Sequence, residues 1–139
     1  MSSMAVASKL LNYIYLGREK LSAIISDLSS FFYIKVYFFV ILGLNLLNWL
    51  AAYFINSKAS QDLVVLHYNI DFGVNLIGNV KEVYVIPLLG LCVFLINFVL
   101  LSFVYRQNKF TVHLLSAGAI LVNLFLLMAV TTVYLINSR

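Results

Sequence analysis

Hydrophobic and polar positions alternate along this chain in blocks rather than residue by residue. Three long blocks, Val36–Ser57, Val83–Tyr105 and Phe110–Ser138, contain no Asp, Glu, Lys or Arg. An α-helix rising about 1.5 Å per residue crosses a hydrocarbon layer of roughly 30 Å with about 20 residues. Each block is long enough, and the pattern predicts transmembrane helices at 34–56, 83–105 and 110–136. Ahead of them Leu21, Ile24, Ile25, Leu28 and Phe32 recur on one helical face, with Ser22, Ser26 and Ser29 elsewhere on the wheel. Leu10, Leu11 and Ile14 extend that stripe backwards, so residues 1–33 read as an amphipathic helix. Between the first two blocks the period changes to two: Val64, Leu66, Tyr68, Ile70 and Phe72 alternate with Val65, His67, Asn69 and Asp71. That is the pattern of a strand with one polar face. Gly73 and Gly78 then punctuate turns.

The expected fold is an all-α membrane protein with three transmembrane helices, an N-terminal amphipathic interfacial helix, and a short β-hairpin-like outer loop over 57–82. Its apolar face is expected to lie down on the helices. Composition agrees, since 63% of residues are hydrophobic and 10% charged, against about a quarter charged in soluble domains. With 139 residues and three spans, a single membrane domain over 1–139 is the expected count. The first charge-free run begins only at Val36 and is of spanning length, so it reads as an uncleaved anchor rather than a signal peptide.

Charge orients the spans. Lys9, Arg18, Lys20 and Lys35 precede the first, and Arg106 and Lys109 lie between the second and third. Lys58, Lys81 and Arg139 fall on the other side. The positive-inside rule therefore places the N-terminus in the cytoplasm and the C-terminus outside. The amphipathic helix would then lie on the cytoplasmic interface or dock on a partner, with Lys9, Arg18 and Lys20 near anionic headgroups. The alternative is that it packs on the protein's own cytoplasmic end. Aromatic residues gather at the predicted interfaces, among them Tyr33, Tyr37, Trp49, Tyr53, Tyr84, Tyr105 and Tyr134, as interfacial belts do.

Asparagine occurs in every span: Asn45 and Asn48 in the first, Asn97 in the second, Asn123 in the third. Measured inward at about 1.5 Å per residue, all four fall within a turn of mid-membrane. Amides there are expected to point into the bundle and bond one another, as glue between helices or as a site for a polar ligand or ion. Pro87 stands in the first turns of its span, where a missing N–H is tolerated. Ser116, Ala117, Gly118 and Ala119 form a small-residue patch suited to close helix approach, against the other spans or a second copy. Cys92, the one cysteine, reads as a small buried hydrophobe. His113, near Lys109, reads as an interfacial anchor.

No Asp, Glu, Lys, Arg or His lies in the interior of a span, which speaks against ion-coupled pumps, proton relays and voltage sensors. No nucleophile–base pair, paired carboxylates or phosphate-cradling loop is present, so no enzymatic activity and no cofactor are expected. The net charge of +4 is spread along the chain and accounted for by orientation, which leaves nucleic acid an unexpected partner. His67, Asn69 and Asp71 share one strand face, but asparagine is a poor zinc ligand, so a metal site is not expected.

The stretch Leu66-His67-Tyr68-Asn69-Ile70-Asp71-Phe72-Gly73-Val74-Asn75-Leu76-Ile77-Gly78, followed by Pro87, resembles a motif of small bacterial membrane proteins, notably of the candidate phyla radiation (Patescibacteria). More distantly it resembles the Pro-x-His-Phe/Tyr-Asn-x-x-Gly segment of the membrane family that includes the Sdp-type immunity proteins. In that pattern a proline precedes the histidine by two residues and an aspartate follows the glycine by two; here Val65 and Asn75 hold those places. The resemblance implies a bacterial cytoplasmic membrane and an externally presented loop, and supplies no reaction. His67, Asn69, Asp71, Gly73 and Asn75 are accordingly the candidate outer docking segment. Two function classes follow. One is a small interaction or assembly component that touches a membrane-protein partner or a second copy of itself; the other is a subunit of an oligomeric channel or transporter lined by the asparagines.

Overall fold

The computed structural model describes residues 2–58, 63–69 and 73–137, the side chains at 2–5, 7, 10, 67–69 and 73–75 excepted. Helix α1 covers Ser2–Ser30, α2 Phe32–Lys58, α3 Val85–Val104 and α4 Lys109–Asn137. Strands β1, Leu63–Asn69, and β2, Gly73–Asn79, form an antiparallel hairpin, and one 3₁₀ segment, Val80–Tyr84, leads into α3. Among the described residues three stretches are long and apolar enough to cross a membrane: Phe32–Lys58, Val80–Val104 and Lys109–Asn137. The first two begin three or four residues ahead of their charge-free windows, since helical backbone continues past a charged side chain, whereas the third matches its window to within one residue at each end.

The chain divides into two compact units, Met1–Val36 and Tyr37–Arg139. In the first, α1 stops where serines compete for its last carbonyls: Ser29 Oγ donates to Ser26 O at 2.8 Å and Ser30 Oγ to Asp27 O at 2.6 Å. Such local bonds offer the backbone an alternative to the helix. Ile34 N then bonds Phe31 O at 3.1 Å, starting the next turn. Leu11, Ile14, Leu21 and Ile25 of α1 are exposed.

In the second unit α2, α3 and α4 bundle, and the hairpin sits over one end. Ala52 and Ile55 of α2, Val130 and Val133 of α4, Val64 of β1, and Val80 and Val83 of the 3₁₀ segment make one buried cluster, with Leu66 packed against it. Val64 and Leu66 thus face the helices. Beyond them the strict alternation predicted from sequence is interrupted. The register shifts between Val65 and His67 and again between His67 and Tyr68, leaving Leu66 on β1 and Asn75 on β2 without opposite partners. A bulge of this kind inserts one residue and increases local twist.

Two further expectations change. Gly73 and Gly78 belong to β2 rather than to turns. At Gly78 a Cβ would collide with the side chain of Leu66 and stand 2.5 Å from Glu82 Oε2; the glycine is needed for that close approach, not for a turn. Cys92 is exposed, not buried. The inward face of α3 is Pro87, Gly90, Asn97 and Leu101, and Cys92, two residues after Gly90, points away from it.

Local caps fix the joints. Asn79 heads the 3₁₀ segment with a capping box: its Oδ1 accepts from Lys81 N at 2.9 Å while its own N–H donates to Glu82 Oε1 at 3.2 Å. Asn108 caps α4, accepting from Phe110 N at 2.9 Å. Both satisfy N–H groups that a helix start leaves without partners.

Candidate functional site

The sequence offers two candidates, the asparagines of the spans and the outer hairpin. Asn45, Asn48 and Asn123 come together. Asn45 Nδ2 donates to Pro87 O at 2.9 Å and approaches Asn123 Oδ1 at 3.5 Å. Asn48 Nδ2 donates to Leu44 O of its own helix at 3.1 Å and to Asn123 O across the bundle at 3.2 Å. Asn123 Nδ2 returns to Ala119 O at 3.0 Å. Asn97 lies apart and donates to Leu115 O at 2.6 Å, tying α3 to α4. All four side chains are buried, as is Ser116.

The arrangement differs in one respect from the expectation of amides meeting amides. Five of the six partners are backbone carbonyls, three of them on a facing helix, Pro87 O, Asn123 O and Leu115 O, and two on the donor's own helix. A carbonyl in a helix has a second lone pair after its ladder bond is made, and a short asparagine reaches it only where helices run close. Gly90 provides that closeness: a Cβ on it would stand 2.5 Å from Asn45 Nδ2 and 2.7 Å from Asn123 Oδ1. Sequence reasoning missed Gly90, although it stands one turn after Pro87 and two turns before Asn97, on the same helical face. The donors of this layer are directed at oxygen, whereas Asn48 Oδ1 and Ser116 Oγ are buried without a partner among the described residues.

The small-residue patch splits between two faces. Ser116 and Ala119 turn into the bundle, while Ala117 and Gly118 are exposed and a Cβ on Gly118 would meet nothing within 4 Å. At the opposite end from the hairpin, Tyr37 Oη and His113 Nδ1 form a hydrogen bond of 2.8 Å, their rings edge-to-face at 5.7 Å. His113 therefore joins α4 to α2.

Of the docking segment, His67 and Asn69 lie in β1, and Gly73 and Asn75 in β2. Asp71 lies outside the described residues, as do the side chains of the others. Besides the apolar cluster around Val64, the hairpin is tied to α4 by a residue the sequence did not single out. Asn137, in the last turn of α4, accepts from Val65 N through Oδ1 at 2.9 Å and donates through Nδ2 to Val65 O at 2.9 Å and Val133 O at 2.8 Å. The carboxamide pairs with an edge strand as a neighbouring strand would. On β2, Leu76 and Ile77 are exposed.

Chemically, the buried amides bond helix to helix, and beside them the layer holds the Ser116 hydroxyl. Comparison of the chain with protein-family models, with curated proteins and with solved structures finds no match to any of them.

Proposed function

We propose that this chain is a multi-pass protein of a bacterial cytoplasmic membrane that works as a small interaction or assembly component. α1 faces the cytoplasm and the hairpin faces outside. One observation carries the reading: Asn45, Asn48, Asn97, Ser116 and Asn123 turn inward while many large apolar side chains of the same helices are exposed. Only 28, 22 and 22% of the most apolar stretch in each of the three long helices is buried. Phe39, Phe103 and Phe125 are each about two-thirds exposed, at 67, 69 and 67%. Water does not tolerate apolar surface of that extent on a monomer, whereas lipid requires it.

The same inward turn supports assembly over transport. A pore built between copies would need Asn45, Asn48, Asn97 and Asn123 on an outer face, where a second copy could supply the opposite wall. They are 3, 0, 7 and 0% exposed within one chain. The orientation rests on Lys9, Arg18, Lys20, Lys35, Arg106 and Lys109 falling on one side. The bacterial membrane and the outward hairpin rest on the motif from Leu66 to Gly78. No catalysis is part of the proposal.

The test reconstitutes purified protein in liposomes. Asn45→Leu with Asn123→Leu is expected to lower stability without creating or abolishing ion or solute flux; flux that depends on those residues would favour a channel subunit. In parallel, His67→Ala with Asp71→Ala should weaken a partner complex retained in mild detergent, and unchanged retention would remove the hairpin from the interface.

A further inference from the structure

A groove of about 250 Å³ runs between α2 and α4 beside the hairpin, lined by Ala51, Phe54, Lys58, Thr131 and Tyr134. Small-molecule sites usually enclose roughly 300–1,000 Å³, so this one is short of a soluble ligand's needs. Its polarity has a direction. Ala51, Phe54 and Lys58 lie on one stripe of α2, spaced three and four residues apart, so the groove extends about 10 Å along the helix at 1.5 Å per residue. The deep end is the methyl of Ala51 and the ring of Phe54. The shallow end is the ammonium of Lys58, in the last turn of α2. On the other wall Thr131 Oγ1 donates to Leu127 O, 2.7 Å away, so its proton is already committed within α4, and Tyr134 stands one turn nearer the helix end.

We propose that this groove holds one anionic glycerophospholipid of the leaflet on the hairpin side. The phosphate sits on Lys58, and the upper part of one acyl chain lies over Ala51 and Phe54. The inference rests on the membrane reading above. Charge and depth argue for this occupant together: a cation at the interface, with an apolar floor running from it toward mid-membrane, matches the order of groups in a phospholipid. A soluble anion would use only the first and a neutral lipid only the second. Lys58 is also a rare cation for its side of the membrane, since only Lys81 and Arg139 share it.

The full chain, purified in detergent and stripped of lipid, is incubated with phosphatidylglycerol or phosphatidylcholine and read by native mass spectrometry. Wild type should retain phosphatidylglycerol about five-fold over phosphatidylcholine, the order expected of one lysine at an anionic surface. Lys58→Gln should abolish the preference and keep the residual binding, Ala51→Phe should lower retention of both lipids, and Lys109→Gln, outside the groove, should change neither. Equal retention of the two lipids by wild type, or a preference that survives Lys58→Gln, overturns the proposal. Retention of inorganic phosphate, added in a parallel incubation, equal to that of phosphatidylglycerol overturns it in favour of a simple anion site. A chain that stays monodisperse without detergent would bring down the membrane reading itself; a chain that needs detergent yet shows no lipid preference brings down only this inference.

Discussion

Asn137 grips Val65 by both of its backbone groups, with N–H and C=O each 2.9 Å from the carboxamide. A two-stranded hairpin is marginal by itself, and β1 would otherwise present an open edge. Each such bond is worth roughly 0.5–1.5 kcal/mol, so Asn137→Ala should loosen the hairpin by about 1–3 kcal/mol and speed hydrogen exchange at the Val65 amide. Asn137→Asp keeps the acceptor for Val65 N–H but loses the donor to Val65 O, and should fall between. Unchanged exchange at Val65 in the alanine variant would mean that the apolar cluster around Val64 alone holds the hairpin.

Gly90 of α3 faces the amides of Asn45 and Asn123, and a Cβ there would stand 2.5 and 2.7 Å from them, so its hydrogen cannot be replaced without displacing them. Alanine is the better helix former by about 1 kcal/mol, so a neutral site would gain stability from Gly90→Ala. Overpacking costs roughly 1–3 kcal/mol, and a net loss of about 1 kcal/mol is expected, larger for Gly90→Val. The readout is SDS-driven unfolding in mixed micelles, followed by the fluorescence of Trp49, which lies against Tyr84 at 5.9 Å between ring centroids. Removing both amides, Asn45→Ala with Asn123→Ala, should shrink the cost of Gly90→Ala, the non-additivity that contacting residues give. Strict additivity would place the clash elsewhere.

Ser116 leads to the opposite expectation. Its hydroxyl is fully buried and has no partner among the described residues, and a buried group left unsatisfied carries a penalty of about 1–3 kcal/mol. Ser116→Ala should therefore be neutral or stabilising by up to about 1 kcal/mol in the same assay. Asn97→Ala, which deletes the 2.6 Å bond to Leu115 O, should destabilise by about 0.6–2 kcal/mol. A serine variant as damaging as the asparagine one would reveal a hydroxyl partner.

The three long apolar helices could be read from sequence because a run of uncharged residues of spanning length has few other uses. The hairpin was visible through its period of two. Its register was not: the bulge at Leu66 depends on how β2 lies opposite, which alternation along one strand does not encode. The same limit applies inside the bundle. Asparagines in apolar segments announce themselves by residue type, whereas their partners, Pro87 O, Leu115 O and Asn123 O, are backbone groups that every residue carries. Gly90 and Asn137 went unnoticed for a related reason. A glycine in an apolar helix and an asparagine at its end have common local explanations, and only the facing element reveals what each one touches.

The proposed orientation rests on the side on which lysine and arginine accumulate, and that balance can be inverted. Substituting Lys9, Arg18, Lys20 and Lys35 with glutamine leaves Arg106 and Lys109 opposed by Lys58, Lys81 and Arg139. Because the charges near the first span usually dominate, the variant should insert in mixed or reversed orientation. Single cysteines placed at Asn12 and at Ser57, both exposed, in a Cys92→Ser background report the result through a membrane-impermeant thiol reagent applied to intact cells. With the natural charges, only the cysteine at position 57 should label. In the glutamine variant, labelling at position 12 should rise toward that at position 57. Labelling at position 12 in the otherwise unaltered chain would mean that something other than these six basic side chains sets the direction of insertion, and the assignment of α1 to the cytoplasm would have to be reversed.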